Sequence, residues 1–426
     1  MNSLKVCIEI LGKQVLVGQL LYSSNKPAEF KYSVAYRQLE NAVPISISLP
    51  LQEGAFDALR TKNFFEGLLP EGFTRRAVAQ WLQVDEGDYL AILKGLGAEC
   101  LGAIQIIDDE YNEVSQYGQL TLSEVQALAN EGATKSAAIM TETHLSLAGA
   151  SGKVGLYWND VNNKWYLPKG LAPSTHIVKQ SHVRLKNIVA NEQLTLITAK
   201  KLGINVADSF IVNLGAGEDE NVLLASKRYD RSFEGSVKKI NGLNCPLRLH
   251  QEDFAQALGI SSANKYEHSG DKYLVKIFDL LRKHSANPLE DRIELWRRIV
   301  FNYLVGNTDG HIKNFSLLYS SDLKSIRLAP AYDLVSTTVY KQGTRSMSIA
   351  FGEESIIDNI DKEIILKSAK QIGIGVKLAE NIFTTMVTDF KQALSSSAEE
   401  LHKQGFNNAK EIAKLIIQSG GIAKYL

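Results

Sequence analysis

Apolar, β-branched runs at Val6–Glu9 and Val15–Leu21 flank Gly12-Lys13, a pattern that predicts a β-hairpin. Ile45-Ser46-Ile47-Ser48-Leu49 alternates apolar and polar residues ahead of Pro50 and predicts a further strand. Phe64–Leu69 and the turn Pro70-Glu71-Gly72 lead into a helix over about Thr74–Leu82, and the glycine-punctuated stretch Gly95–Ile107 reads as closing strands. The polar, acidic stretch Asp108–Gln119 then breaks the pattern. Thr121 and Glu124 stand at the N-cap and N3 positions of a capping box and predict a short helix. Strand-like runs follow at Val154–Trp158, Trp165–Leu167, His176–Lys179, Ser209–Asn213 and Val222–Arg228. The helix Asn187–Leu202, stopped by Gly203, is embedded among them. Beyond about Leu249 the period becomes helical: Glu252–Leu258, Lys272–Leu281, Leu289–Val305, Lys362–Ile372, Val376–Ser395, Glu399–Gln404 and Asn408–Gln418. A short hairpin, Ser316–Tyr319 with Ile326–Leu328, interrupts these helices.

This order predicts an α+β fold in three parts: a β-rich N-terminal subdomain over 1–107, a β-rich lobe with one embedded helix over 120–245, and a mostly helical lobe over 246–426. The last two match the small and large lobes of a bilobal, protein-kinase-like fold. Composition narrows the function classes. The chain has 426 residues, with 47 basic and 47 acidic side chains, so net charge gives no argument for nucleic-acid or membrane affinity. Cys7, Cys100 and Cys245 lie far apart without a C-x-x-C pair, which suggests reduced, buried thiols and neither a disulfide framework nor a zinc site. No run is long and apolar enough for a spanning helix, and a cytoplasmic, bacterial setting is expected.

The chemistry concentrates in Asn307-Thr308-Asp309-Gly310-His311-Ile312-Lys313-Asn314 and Ala331-Tyr332-Asp333-Leu334. Phosphoryl transfer from ATP needs one carboxylate to orient the acceptor hydroxyl, and an amide oxygen and a second carboxylate on Mg2+. Asp309, Asn314 and Asp333 supply them in that order, and Asp-x-x-x-x-Asn is the spacing of a kinase catalytic loop. Lys313 could offset phosphate charge or be an exposed loop lysine, and His311 suits a structural or substrate-contacting role. Lys179 ends a strand where a kinase keeps its phosphate-binding lysine, and Glu192 on the next helix is its candidate partner. Lys153 closes a small-residue loop beginning at Leu145. Lys227-Arg228-Tyr229-Asp230-Arg231, with Lys227 and Tyr229 as candidate nucleotide contacts, reads either as a hinge whose backbone meets adenine or as a basic surface turn.

These residues resemble a known family. Phe65-Glu66-Gly67-Leu68-Leu69-Pro70-Glu71-Gly72, Leu96-Gly97-Ala98-Glu99-Cys100-Leu101-Gly102-Ala103, Leu145–Lys153, Pro168-Lys169-Gly170, Thr175–Lys179, Arg228-Tyr229-Asp230-Arg231, Thr308–Ser316 and Tyr332-Asp333-Leu334 together are similar to the HipA family, the kinase toxins of bacterial HipBA toxin–antitoxin modules. The resemblance implies a Mg-ATP-dependent serine/threonine protein kinase whose target is an aminoacyl-tRNA synthetase and whose action arrests growth. It implies catalysis by Asp309, Mg2+ on Asn314 and Asp333, ATP phosphates on Lys179, and inactivating autophosphorylation at Ser146. It also implies a HipB-like helix-turn-helix antitoxin dimer as partner, through which operator DNA is reached. Two departures stand out. Ser151-Gly152 replaces the family's Gln-Glu and makes Ser151 a second possible acceptor, and Asp333 lies in Tyr-Asp-Leu rather than D-F-G. The competing readings are a small-molecule phosphotransferase and a decayed kinase serving as a non-enzymatic co-repressor.

Overall fold

The computed structural model describes residues 2–426 apart from 24, 25, 110, 150, 151 and 182–184, and the backbone alone of 132–134. The fold is α+β with antiparallel sheets and divides into two compact units. The first contains Met1–Gln180, Ala225–Ser262 and Leu317–Ile326, and the second Ser181–Leu224, Ala263–Ser316 and Arg327–Leu426.

The first unit opens with β1 (Asn2–Ile10), β2 (Lys13–Ser23) and β3 (Lys26–Tyr32), joined by β4 (Ile104–Ile107) in a four-stranded sheet of order β3-β2-β1-β4. The predicted hairpin is present: Ile10 pairs with Lys13, and Leu11 and Gly12 both take positive φ, as a tight two-residue turn requires. Leu4, Val6 and Ile8 are buried core residues, and the rings of Phe30, Tyr32, Phe56 and Phe65 pack on one another. Much of Gly95–Ile107 differs from expectation, since Tyr89–Leu96 is a helix capped by Asp88 and only Ile104–Ile107 is a strand.

The predicted strand at Ile45–Leu49 is instead a tight turn. Ser46 O accepts the Leu49 N–H at 3.1 Å, and Tyr32 Oη both accepts from Ile45 N–H and donates to Leu49 O. The alternation does correspond to burial, because Ile45 and Leu49 are core residues. The intervening polar groups do not pair in a ladder. Ser46 Oγ and Ile47 N–H donate to the fully buried carboxylate of Glu252, 2.5 and 3.1 Å away.

A second sheet carries β5 (Gln116–Gln119), β6 (Lys153–Asn159), β7 (Lys164–Lys169) and β8 (His176–Gln180) in the order β5-β7-β6-β8. Ala225–Lys227, the end of the strand Val222–Lys227, also belongs to this unit. The helix Leu122–Asn130 has the anticipated capping box, with Thr121 Oγ1 taking Glu124 N–H and Glu124 taking Thr121 N–H.

A buried ion network lies within this unit. Arg228, Arg231 and Arg248 surround Glu99, with separations of 3.2, 2.7 and 2.7 Å. Asp230 takes Arg228 at 2.7 Å and the Gly102 N–H at 2.7 Å, and Glu9 takes Arg248 at 3.1 Å. Burial alone would push the Glu99 carboxyl up, but Arg231, Arg248 and Arg228 pull it down to about 2. Arg228 and Arg231 are almost wholly buried, so the basic-surface-turn reading of this motif is overturned.

The second unit is mostly helical: Ile188–Lys201, Tyr273–His284, Pro288–Val305, Lys362–Gln371, Val376–Lys403 and Ala409–Ser419. Val376–Lys403 is one helix of 28 residues where two were expected. Ser395-Ser396-Ser397 does not stop it, because Ser397 Oγ bonds back to Ala393 O at 2.8 Å and keeps its polarity within the helix. Pro288 stands at the N-terminus of its helix, and Asn287 accepts Glu290 N–H.

Candidate active site

The helix Pro288–Val305 ends at Gly306 in a left-handed conformation, φ 73°. A Cβ there would lie 2.0 Å from Thr338 Oγ1, so only glycine fits. The chain then enters a closely bonded loop. Thr308 N–H donates to Thr337 Oγ1 at 2.8 Å, and Thr308 O accepts from both Ser348 N–H (3.1 Å) and Ser348 Oγ (2.6 Å). Asn307 Oδ1 accepts Asp309 N–H at 3.2 Å and its amide donates to Asn302 Oδ1, while Gly310 leaves room for the Asn302 amide. Asp309 is thereby presented, exposed, from a buried base of Asn307, Thr308 and Gly310.

Asn314 folds back onto the same loop. Its Nδ2–H donates to Asp309 O at 3.0 Å, which leaves the carbonyl oxygen of the amide as the end suited to a cation. His311 and Lys313 are both buried, which overturns the exposed-loop-lysine reading of Lys313. Tyr332 binds this loop through its hydroxyl, to Lys313 O at 2.9 Å and Ser316 Oγ at 2.6 Å. Its neighbour Asp333 is held at φ 57°, a left-handed conformation that Asp tolerates better than most side chains. Ala331 is bridged to Val206, and the buried Arg298 donates to Ala329 O at 2.7 Å, so the segment leading to Asp333 is anchored on both sides. Asp309, His311, Lys313, Asn314 and Asp333 thus occupy one bonded assembly of the second unit.

Glu192 is buried on the helix Ile188–Lys201 of the second unit. Its neighbour Asn191 donates to Ser336 O at 2.8 Å and accepts Ser336 N–H at 3.2 Å, tying that helix to the chain following Asp333.

In the first unit, Lys153 and Lys179 pair directly across β6 and β8. Gly149, φ 107°, makes room for the Lys153 ammonium, since a Cβ there would lie 2.6 Å from Nζ. Ser146 is fully buried: its Oγ donates to Leu68 O and its N–H to Glu99 O, each at 2.7 Å. Gly149 O accepts the Glu71 N–H, so the segment from Leu145 is stitched to two of the motifs noted in the sequence. Ser151 lies outside the described residues. Lys227 is exposed at its strand end, and Tyr229 Oη donates to Gln251 Oε1. The charge of Lys227 adds to burial in lowering His176 to about 4.

Two contributors were not evident from the sequence. Tyr266 Oη donates to Asp309 Oδ1 at 2.8 Å, and Ser348 supports the loop from behind. Both reach it from distant segments, and neither carries a local motif.

A family model described as the HipA-like C-terminal domain matches residues 145–398, and one described as the HipA N-terminal domain matches residues 8–107. The chain is 32% identical over 396 residues to the "Putative kinase Y4mE" of Sinorhizobium fredii, covering 90% of each. It is 28% identical over 355 residues to the serine/threonine-protein kinase toxin HipA of Shewanella oneidensis, covering 80% of this chain and 77% of that one. A solved Shewanella oneidensis complex of HipA, HipB and operator DNA contains a chain similar to this one with TM-score 0.78 at 23% identity, covering 98% of this chain and 97% of that chain. That likeness concerns the fold, which is kinase-like. By the two family models and the identity over most of its length, the chain belongs to the HipA family. Among the described residues, no helix is long and apolar enough to cross a membrane.

Proposed function

We propose that this protein is a Mg-ATP-dependent serine/threonine protein kinase and the toxin of a toxin–antitoxin pair. The observation that carries the reading is the Asp309–Asn314 loop, in which the carboxylate stands exposed while the amide nitrogen of Asn314 is committed to Asp309 O. Asp309 would orient the acceptor hydroxyl and take its proton. Asn314 and Asp333 would hold Mg2+. Their hard oxygens suit an ion that completes its shell with water and phosphate oxygens. Among the described residues no group of three or more His, Cys, Asp or Glu side chains forms a metal cluster, and magnesium shared with phosphates needs none.

Lys153 and Lys179 would take the phosphate charge. Glu192, Lys227, Tyr229, His311 and Lys313 complete the proposed nucleotide-binding set. Bound ATP supplies the phosphoryl group. The proposed organisation keeps three parts, 1–107, 120–245 and 246–426.

The substrate would be a protein serine or threonine, on an aminoacyl-tRNA synthetase, with growth arrest as the consequence. A HipB-like helix-turn-helix antitoxin would be the partner and would carry the contact with operator DNA, in a bacterial cytoplasm. The relative's name supports the serine/threonine kinase toxin reading, and the composition of the solved complex supports the antitoxin and operator DNA. Autophosphorylation at Ser146 would require the Leu145–Gly149 segment to leave its seat, because the hydroxyl is buried against Leu68 O. Once modified, the added charge could not return to that site.

Intact-protein mass spectrometry with Mg-ATP, starting from unphosphorylated protein, tests the reading. Added phosphate on wild type and none on Asp309→Gln supports it. No transfer to itself or to a synthetase panel, from protein that binds ATP, would turn the assignment toward a small-molecule kinase or a co-repressor.

A further inference from the structure

Asp333 lies between two anchors that belong to one stretch of chain. Before it, Ala331 N–H donates to Asn205 O at 2.8 Å and Ala331 O accepts Ala207 N–H at 2.9 Å, just beyond the helix Ile188–Lys201. After it, the side chain of Asn191 on that helix takes both backbone groups of Ser336. Its Nδ2–H donates to Ser336 O at 2.8 Å and its Oδ1 accepts Ser336 N–H at 3.2 Å. We propose that Asn191 is a positioning residue for phosphoryl transfer: through Ser336 and Thr337 it holds the Asp333 segment in register with the Asp309 loop. This rests on the roles of Asp309 and Asp333 given above.

Thr337 carries the tie onward. Its Oγ1 accepts Thr308 N–H at 2.8 Å and donates to Gly306 O at 3.0 Å, and its own N–H donates to Gly306 O at 2.9 Å. The helix bearing Glu192, the segment bearing Asp333 and the loop bearing Asp309 therefore meet at two consecutive residues, Ser336 and Thr337. The Asn191 amide is saturated: Nδ2–H also donates to Tyr340 Oη at 3.2 Å, and Oδ1 also accepts from Thr195 Oγ1 at 3.4 Å. Asn191 and Ser336 are wholly buried, and Ser336 Oγ has no hydrogen-bond partner among the described residues, so Ser336 is held through its backbone groups.

Asparagine is a poor residue for a helix interior, and a buried amide is costly unless it is fully bonded. A leucine of similar size would leave the N–H and C=O of Ser336 without these partners. The amide is suited to its place because it bonds both groups of one residue, as a neighbouring strand would. Asp333 also needs the support. It is held at φ 57°, a conformation that a non-glycine residue keeps only where its surroundings impose it. Freeing one anchor lets that conformation relax, and a small displacement of one reacting group against another costs rate steeply.

Asn191→Ala removes both bonds to Ser336. Thr195→Val, the control, removes a hydrogen bond to the same amide and leaves Ser336 untouched. Asn191→Ser, whose hydroxyl can bond back within its own helix, replaces the alanine variant if that one does not fold. Two readouts are compared with wild type: steady-state kinetics with Mg2+ varied, and hydrogen exchange at the Thr308 N–H without nucleotide. In Asn191→Ala, kcat should fall about tenfold and the Mg2+ needed for half-maximal rate should rise about tenfold, with the KM for ATP at saturating Mg2+ unchanged. Exchange at Thr308, which is bonded to Thr337 and not to Asn191, should quicken about tenfold. Thr195→Val should behave as wild type. If wild type transfers no phosphate, the kinase reading fails, while exchange at Thr308 still decides whether the tie reaches the loop. Thr308 exchange and kcat in Asn191→Ala equal to those of Thr195→Val would overturn the proposal. So would a lower urea midpoint with kcat and Mg2+ dependence unchanged, which would make Asn191 a purely structural residue.

Discussion

Lys153 and Lys179 stand directly opposite one another on antiparallel strands β6 and β8, in the register that also pairs Val154 with Val178. Residues paired in this way share a face of the sheet, so the proposed phosphate site would draw on both ammonium groups. Lys179→Gln should weaken Mg-ATP binding by about 2 kcal/mol, roughly thirtyfold. Calorimetric titration measures the change. Unchanged ATP affinity would remove Lys179 from the phosphate site.

Glu99 is the acceptor shared by Arg228, Arg231 and Arg248. Glu99→Gln leaves a buried excess of positive charge and should cost about 3 kcal/mol of the first unit's stability, a shift readable as a lower urea midpoint. With its carboxyl depressed from near 4.5 to about 2, folded Glu99 binds fewer protons than unfolded Glu99 between those values. Its contribution is therefore complete above about pH 4.5 and is lost as pH falls toward 2.

Glu252 has the opposite sign. Burial raises its carboxyl from near 4.5 to about 7, against the opposing donors Ser46, Tyr319 and Ile47. The native state then holds the proton longer than the unfolded state, and stability should decline as pH rises from about 4.5 to 7. Glu252→Gln keeps an acceptor for these donors and should flatten that decline in unfolding curves recorded across this range. An equally steep decline in the variant would exclude Glu252 as its source.

Gly310 approaches Asn302 so closely that a Cβ would lie 2.7 Å from its amide nitrogen. Gly310→Ala should displace the Asn302–Asn307 pair that holds the Asp309 N–H, costing about 1–3 kcal/mol locally. Phosphoryl transfer should fall by at least tenfold, with far-UV circular dichroism unchanged. Full activity in the alanine variant would show that the loop tolerates the shift.

Several features were legible because they are local. Gly12-Lys13 announces a hairpin, Thr121 and Glu124 announce a capping box, and Gly203 stops a helix; each involves residues a few positions apart. The Asp309–Asn314 spacing was equally readable, since five positions suffice for the amide of Asn314 to reach Asp309 O. The failures have a different origin. Ile45–Leu49 alternates as a strand does, but Glu252 takes its polar groups from 206 and 205 positions away. Ser395-Ser396-Ser397 resembles a helix stop, yet the Val376–Lys403 helix runs through it.

The sequence alone determined much of the order of the elements and the family, and it singled out Asp309, Asn314 and Asp333 as candidates. Those follow from backbone preferences and side-chain spacings that act over one or two turns of chain. Tertiary structure decided that Arg228 and Arg231 are buried with Glu99, that Ser146 is enclosed under Leu68, and that Tyr266 reaches Asp309. A charge can leave water only where distant segments supply its counter-charge. An exposed carboxylate is oriented only by a donor that the fold brings to it, and neither condition is visible along a single stretch of chain.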